Sequence, residues 1–463
     1  MPISKYFKAT AVVLGVSCAT LIGLKGCAVV YHPDPKQGDN QAISGGPYSF
    51  VLVGENNQQI ARHVTSQSSC PKIIVDGREY QMTERGQNNS PTQFEQVIAC
   101  EYLLGSAPQK VSIDGVDLAV LPTEVNRIAI IGDTGCRMKI STFQNCNNVK
   151  GGGEPWPFEK LANQLVKENA DVVLHMGDFH YRETPCPLLN LGCKGPWGFN
   201  WASWQADYFE PAKGLLNKVP WVLTRGNHED CNRAYKGWFY FLDPYPLADD
   251  IWQNCQEYTP TYKVEFNDLT VVQMDSATMP NPFADTVNPK TQKIYTELFD
   301  EVNELSEGAS QSWLFTHRPL WAVSSYFDWN AFKKDLSVTD KTMQAAIASS
   351  KLGEFTPSVS LILSGHIHNF EALSFNVDRP ALMVVGDSGT RLSPIISVEQ
   401  ESKLQNLLKQ IQVNREDFFV DGRFAYVIME RLENRQWLVK FTGIDGITHK
   451  TFRLEGRKLM PQD

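Results

Sequence analysis

Five short polar motifs in this chain each follow directly on a short apolar run, and that pairing most constrains the fold. The runs 126–131, 171–176, 219–224, 312–316 and 359–364 lead into or carry five motifs. These are Gly132-Asp133-Thr134-Gly135, Gly177-Asp178-Phe179-His180-Tyr181, Gly226-Asn227-His228-Glu229, Phe315-Thr316-His317-Arg318-Pro319 and Gly365-His366-Ile367-His368. Runs of this length read as buried strands. Helical patterns interleave with them at 158–168, 294–305, 343–350 and 403–412. The alternation predicts an α/β class, with every motif where a strand gives way to a loop. Open α/β sheets form their sites outside the carboxyl ends of strands, so five such ends predict one shared site.

Of the motif side chains, two Asp, one Tyr, one Asn and three His could ligate metal, and no Cys is among them. Oxygen and imidazole without thiolate suit hard or borderline cations, and a bridging Asp makes room for two. Such a set implies a two-metal phosphoester hydrolase. Taken singly, each Asp reads equally well as a turn residue and each His as a satisfied core residue; the ordered set favours ligation.

In order and spacing, the motifs resemble those of the purple acid phosphatases, within the wider calcineurin-like metallophosphoesterases. Most calcineurin-like enzymes begin with Asp-x-His, whereas here the third position is Gly135. Tyr181, three residues after Asp178, fills that vacancy, and a Tyr in this place marks the purple branch. The resemblance implies a four-layer α/β/β/α metallophosphoesterase sandwich with a small N-terminal β domain. It implies a ferric ion held by Asp133, Tyr181 and His368, and a divalent Fe, Zn or Mn held by Asn227, His317 and His366. Asp178 would bridge the two. His228 resembles the catalytic histidine over the phosphate, with Asn227 also touching substrate. The reaction expected is attack of a metal-bound hydroxide on small phosphomonoesters at mildly acid pH. The same ion pair also serves phosphodiesterases and nucleotide or pyrophosphate hydrolases. A non-catalytic binding protein on this fold would be expected to have lost ligands, and here none is lost.

Several residues admit two readings. Arg318 reaches phosphate bidentately or makes a surface ion pair. His175 reads as packed core, and His180 as a neighbour of the ligands or a solvent-facing ring. Glu371 resembles an acid that supports the last motif. Gly386-Asp387-Ser388-Gly389 imitates the first motif but reads as a tight strand-end turn. Trp197, Phe199, Trp201 and Trp204 form either an aromatic wall for a leaving group or a helix start packed on the core.

The net charge of −9 argues against nucleic acid as the main partner. Lys5 and Lys8 precede an apolar stretch over 9–24, the pattern of an export signal. Leu24-Lys25-Gly26-Cys27 resembles a bacterial lipobox, which makes Cys27 a candidate for lipidation and the membrane a partner through that anchor. Soluble secretion and an uncleaved anchor are the other readings; residues 1–27 are the signal segment and 28–45 a polar tether. Both leave the chain exported: periplasmic, membrane-anchored or secreted. Eight further cysteines fall into sequence neighbours: Cys70 with Cys100, Cys136 with Cys146, Cys186 with Cys193, Cys231 with Cys255. An oxidising compartment favours disulfides between them, with free buried thiols as the alternative.

Residues 46–121 show short alternating runs with Asp-Gly turns, which predicts a small β-rich domain, possibly a sandwich, or an extension packed on the catalytic part. The catalytic domain is expected over 122–463. Its last strands, near 424–429, 436–442 and 450–454, are expected to complete a second sheet.

Overall fold

The computed structural model describes residues 15–17, 28–30, 45–86, 91–105, 107–139, 142–187, 191–279, 286–328, 333–394 and 396–462. Cys27 lies outside these residues, as does the apolar stretch 9–24 except for 15–17. No helix among them is long and apolar enough to cross a membrane.

Each motif-bearing apolar run is a strand: Arg127–Ile131, Val172–His175, Trp221–Leu223, Gln311–Thr316 and Val359–Ser364. The first three lie parallel in an eleven-stranded sheet, the last two parallel in a seven-stranded sheet. Side chains alternate between faces along a strand. Ile128 and Ile130 therefore enter the layer between the sheets, while Ala129 and Ile131 enter the layer under the helices. Leu361 and Leu363 share the middle layer, and Ile362 packs on the far side. Helix Phe158–Glu168 covers the first sheet, burying Phe158, Leu161, Ala162 and Leu165 at helical spacing. Helices Pro289–Ser306, Lys341–Ala348 and Glu401–Gln410 pack their apolar stripes in the outer layer of the second sheet. Three apolar layers thus separate four structural layers in the order α/β/β/α.

Both flanks of the chain join the first sheet. Tyr48–Val53 pairs parallel with Trp221–Leu223, and Gln59–Thr65 and Ile98–Gly105 continue from it. The N-terminal β region thus takes the form of an extension of the catalytic sheet. A four-stranded sheet packs on it around Val51, Ala61, Ile73 and Ile113. The tail strands Ala425–Arg431, Trp437–Gly443 and Thr448–Glu455 also differ from expectation in their partner. They pair antiparallel outward from Arg127–Ile131 and so extend the first sheet. The second sheet is completed instead by Tyr262–Phe266, Leu269–Met274, Phe370–Phe375, Ala381–Val385 and Val413–Asp421.

All four neighbour pairs of cysteines are disulfides: Cys70–Cys100, Cys136–Cys146, Cys186–Cys193 and Cys231–Cys255. Four such bonds suit an oxidising compartment outside the cytoplasm.

Candidate metal centre

The first motif turns sharply out of its strand. Asp133 and Asp178 take left-handed backbone angles, φ 55° and 57°, and His366 takes φ 69°. Side chains with a Cβ seldom adopt this region, and such residues cluster where function fixes the geometry. The neighbouring glycines are required by crowding. A Cβ on Gly226 would collide with the Asp178 carboxylate, and one on Gly365 would lie 2.5 Å from Asp133 Oδ2.

Four donors meet at the Tyr181 phenol. Its Oη is 2.8 Å from Asp133 Oδ1, 2.7 Å from Asp178 Oδ2 and 3.1 Å from His368 Nε2. On the other side of Asp178, Oδ1 lies 3.4 Å from His317 Nε2, which is itself 3.1 Å from Asn227 Oδ1. Asp178, His317 and His366 each offer one ligand atom, all within 4.8 Å of one another. The seven expected donors are therefore together, with Asp178 between two groups and one oxygen facing each.

The imidazoles are oriented from behind. His317 Nδ1 is 2.7 Å from the Met176 carbonyl, and His368 Nδ1 is 2.8 Å from that of Arg391. Donation of the Nδ1 proton to a carbonyl leaves Nε2 with its lone pair toward the cluster, as metal-ligating histidines require.

The electrostatics show a deficit of positive charge. Burial, reinforced by Asp133 and Asp178, pushes the Tyr181 phenol well above its ordinary value. Burial likewise raises Asp133. Burial also opposes charge on Asp178, but His317 and His228 outweigh it and hold that carboxyl well below the usual range. His317 is pushed up to about 9 against its burial, chiefly by Asp178. Burial and then the charge of Asp178 push Glu229 up to about 8. One phenolic proton cannot serve two carboxylates, and a histidine proton is what answers the charge of Asp178. Buried acceptors arranged this way fit cations, which would relieve each of these shifts.

The calcineurin-like phosphoesterase family profile matches residues 126–370, more than half of the chain. The chain belongs to this family. Among solved structures, the phosphoesterase resembles purple acid phosphatase PPD1 from yellow lupin (Lupinus luteus) seeds, at 12% identity and TM-score 0.55. That match covers 93% of this chain and 77% of the lupin chain. It resembles PhoD at 11% identity and TM-score 0.54, over 91% and 93% of the two chains. These likenesses are of fold. By sequence, no curated protein matches.

The other sequence readings find definite places in the phosphoesterase. His228 is buried beside Tyr181, ring centroids 3.9 Å apart, with Nδ1 2.9 Å from Glu183 Oε1. Arg318 is buried rather than on the surface. Its Nη1 lies 3.4 Å from His366 Nε2, and it does not line the cavity of about 540 Å³ that opens over the donors. His175 is core, stacked on Phe179. His180 is buried, with Nε2 3.0 Å from Ser203 Oγ, so it does not face solvent. Ser388 of the imitating turn and Thr390 just after it donate their backbone N–H groups to the carbonyls of Gly132 and Asp133, which makes the turn a support for the first motif. Trp201 and Trp204 belong to a capped helix buried in the core with Phe209 and Phe241, so they form no wall for a substrate. Glu371 is buried, accepting from Val323 N and Asn369 Nδ2.

Two residues escaped the sequence reading. Glu229 accepts from the backbone N–H of Asp178, Phe179, His180 and Gly226, at 2.9–3.1 Å, tying the second motif to the third. Its signal was its place inside the third motif. Asp207 accepts from Cys136 N, Tyr181 N and Arg182 N and from Arg182 Nε at 2.6 Å, tying the first loop to the second. It stands in a helix with no motif around it, and nothing in the sequence marks it.

Proposed function

We propose that the chain is an exported dinuclear-metal acid phosphatase that hydrolyses small phosphomonoesters. The observation that carries this reading is the position of Asp178. One of its oxygens faces Tyr181 and the other faces His317, so a single carboxylate serves two adjacent donor groups. Asp133, Tyr181 and His368 would hold a ferric ion, since an anionic phenolate suits a hard trivalent cation. Asn227, His317 and His366 would hold a divalent Fe, Zn or Mn. Bound there, the pair would supply Lewis acidity toward phosphate and lower the pKa of water.

The chain's own residues do the rest. His228 donates its backbone N–H to Asp178 Oδ1 at 2.8 Å, which fixes the imidazole over the cluster. Glu183 lies against Nδ1, so Nε2 is the nitrogen left for substrate, where it donates to the leaving oxygen as the P–O bond breaks. Help of this kind is worth about 10²–10⁴-fold. Asn227 borders the same cavity and orients the phosphoryl group. Export would proceed through the N-terminal signal, with Cys27 as the lipid attachment point and small phosphorylated compounds as the partners.

Metal analysis together with phosphate release at pH 5, with and without chelator, tests this. Two metal equivalents and chelator-sensitive release are expected, with a violet colour that vanishes in Tyr181→Phe. A colourless, fully active enzyme would replace iron by zinc or manganese. Release unaffected by chelator would end the metallophosphatase reading. Cys27→Ser should move the protein from the membrane to the soluble fraction; unchanged partition would remove the anchor.

A further inference from the structure

The cavity over the donors is basic in a chain of net charge −9. Arg137, Lys139, Arg233 and Arg391 line it, and Asp178, at its floor, is the one carboxylate in the lining. Arg137 and Arg233 stand against the two neighbours of His228, and Lys139 lines the same cavity. The Arg137 guanidinium lies 5.2 Å from the centroid of the Tyr181 ring, the same ring that His228 packs against at 3.9 Å. Arg233 Nη1 is 3.6 Å from Glu183 Oε1, the oxygen beside His228 Nδ1. Arg137 and Lys139 make no ion pair with a carboxylate among the described residues. Burial lowers the Lys139 ammonium from its ordinary value, and Arg233 and Arg137 lower it further, against the pull of Glu183. Glu183 answers only one of these positive charges, and the like charges left over repel one another unless a further anion joins them.

The cations are also held in place. Met138–Lys139 pairs with Thr142–Phe143 in a short antiparallel ribbon closed by Cys136–Cys146. Met138 N donates to Tyr181 O, and Met138 O accepts from Glu183 N, each at 3.0 Å. The ribbon is therefore stitched to the segment that carries Tyr181 and Glu183. Ions held by the donors would answer the charge of the phosphoryl group being transferred. A fixed cluster of guanidinium and ammonium groups beside the leaving-group histidine answers a second charge, and guanidinium geometry matches phosphate oxygens.

We propose that the leaving group itself carries phosphate, so that the preferred substrate is a pyrophosphate-type compound rather than an ester of an uncharged alcohol. This rests on the phosphatase reading above and on His228 marking the leaving side. Water adds to the terminal phosphorus and the bond to the bridging oxygen breaks. That oxygen leaves on the second phosphate with the proton. One water is consumed and nothing is oxidised or reduced.

The test compares kcat/KM of the metal-loaded full chain for inorganic pyrophosphate and for 4-nitrophenyl phosphate, whose leaving group is neutral at acid pH. Pyrophosphate should be the better substrate. In Arg137→Gln/Lys139→Gln the ratio of the two constants should fall by roughly tenfold or more, the value of a hydrogen bond to a charged group. Lys139→Gln alone, on the ribbon's partly exposed strand, should shift the ratio in the same direction, and Lys139→Arg should restore it. Equal losses on both substrates in the single variant, or an unmoved ratio, would overturn the inference. Hydrolysis of 4-nitrophenyl phosphate without hydrolysis of pyrophosphate would overturn it while leaving the phosphatase reading standing. Hydrolysis of neither would remove both.

Discussion

The strand ends of the two sheets reach one cavity but hold their donors in different ways. From the eleven-stranded sheet come Asp133, Asp178, Tyr181 and Asn227, all oxygen donors and three of them acidic. Their loops are braced by two buried carboxylates, Glu229 and Asp207, each collecting several N–H groups. Three of the four disulfides, Cys136–Cys146, Cys186–Cys193 and Cys231–Cys255, also lie in these loops. From the seven-stranded sheet come His317, His366 and His368, all imidazole nitrogen donors. Two of them are aimed by a single carbonyl behind the ring, and no disulfide among the described residues touches their loops. The contrast follows from charge. Anionic donors crowded together repel and need a stiff, N–H-rich frame. An imidazole carries no negative charge and needs only its ring oriented, which one carbonyl accomplishes.

If that contrast is right, the largest loss comes from the residue shared by both halves. Asp178→Ala should abolish binding of both metal equivalents and essentially all phosphate release. Retention of one tightly held equivalent, measured by metal analysis after dialysis, would break the picture of a bridge. Next in size is the frame of the acidic half. Glu229→Gln turns an acceptor into a donor facing backbone N–H groups, and metal affinity should fall roughly 10–100-fold, the usual effect of losing an outer partner. Titration with a competing chelator measures this. An affinity within a factor of two of the parent would show that the four N–H contacts do not organise the site.

Smaller again is the effect of the staples. Replacing Cys231 and Cys255 by Ser should cost about 3 kcal/mol of stability for a loop of this size. Amide exchange should quicken in the 226–255 loop and stay unchanged at 317–320 and 365–369. Uniform quickening across both halves would remove the contrast. The least effect on turnover is expected of Glu371→Gln, on the imidazole half. Burial pushes Glu371 up to about 8, above its unfolded value of about 4.3. The folded chain therefore binds the extra proton between these values, and stability falls as pH rises through that window. The amide has no such proton, so the variant should gain on the parent as pH rises from 5 to 8. The gain should be at most about 1.4 kcal/mol per pH unit. Denaturant midpoints at the two pH values measure it, and parallel curves would show that Glu371 carries no such shift.

The acidic half and the imidazole half were equally legible as donors, because each donor stands beside a strand that its own apolar run announces. Local chemistry written in adjacent residues, such as Gly before Asp133 or neighbouring cysteines, reads directly from the sequence. Pairing between distant strands does not. The alternating pattern of 48–53 suits a separate β domain as well as a parallel partner for Trp221–Leu223, and the tail strands 425–455 suit either sheet. Asp207 was illegible for the same reason: its role is to accept from residues 25 to 71 positions away, and its own neighbours carry no trace of that.

The strand that delivers Asp133 has the tail strand Ala425–Arg431 on one flank and Val172–His175 on the other. A fragment cut to the stretch that the family profile recognises would strip the tail-strand flank and leave a bare row of backbone donors and acceptors beside Asp133. Anyone trimming this protein to a minimal unit should expect aggregation before loss of chemistry. Insertions are better placed at the hairpin tips near 445 or 456, where the ladder already turns back on itself.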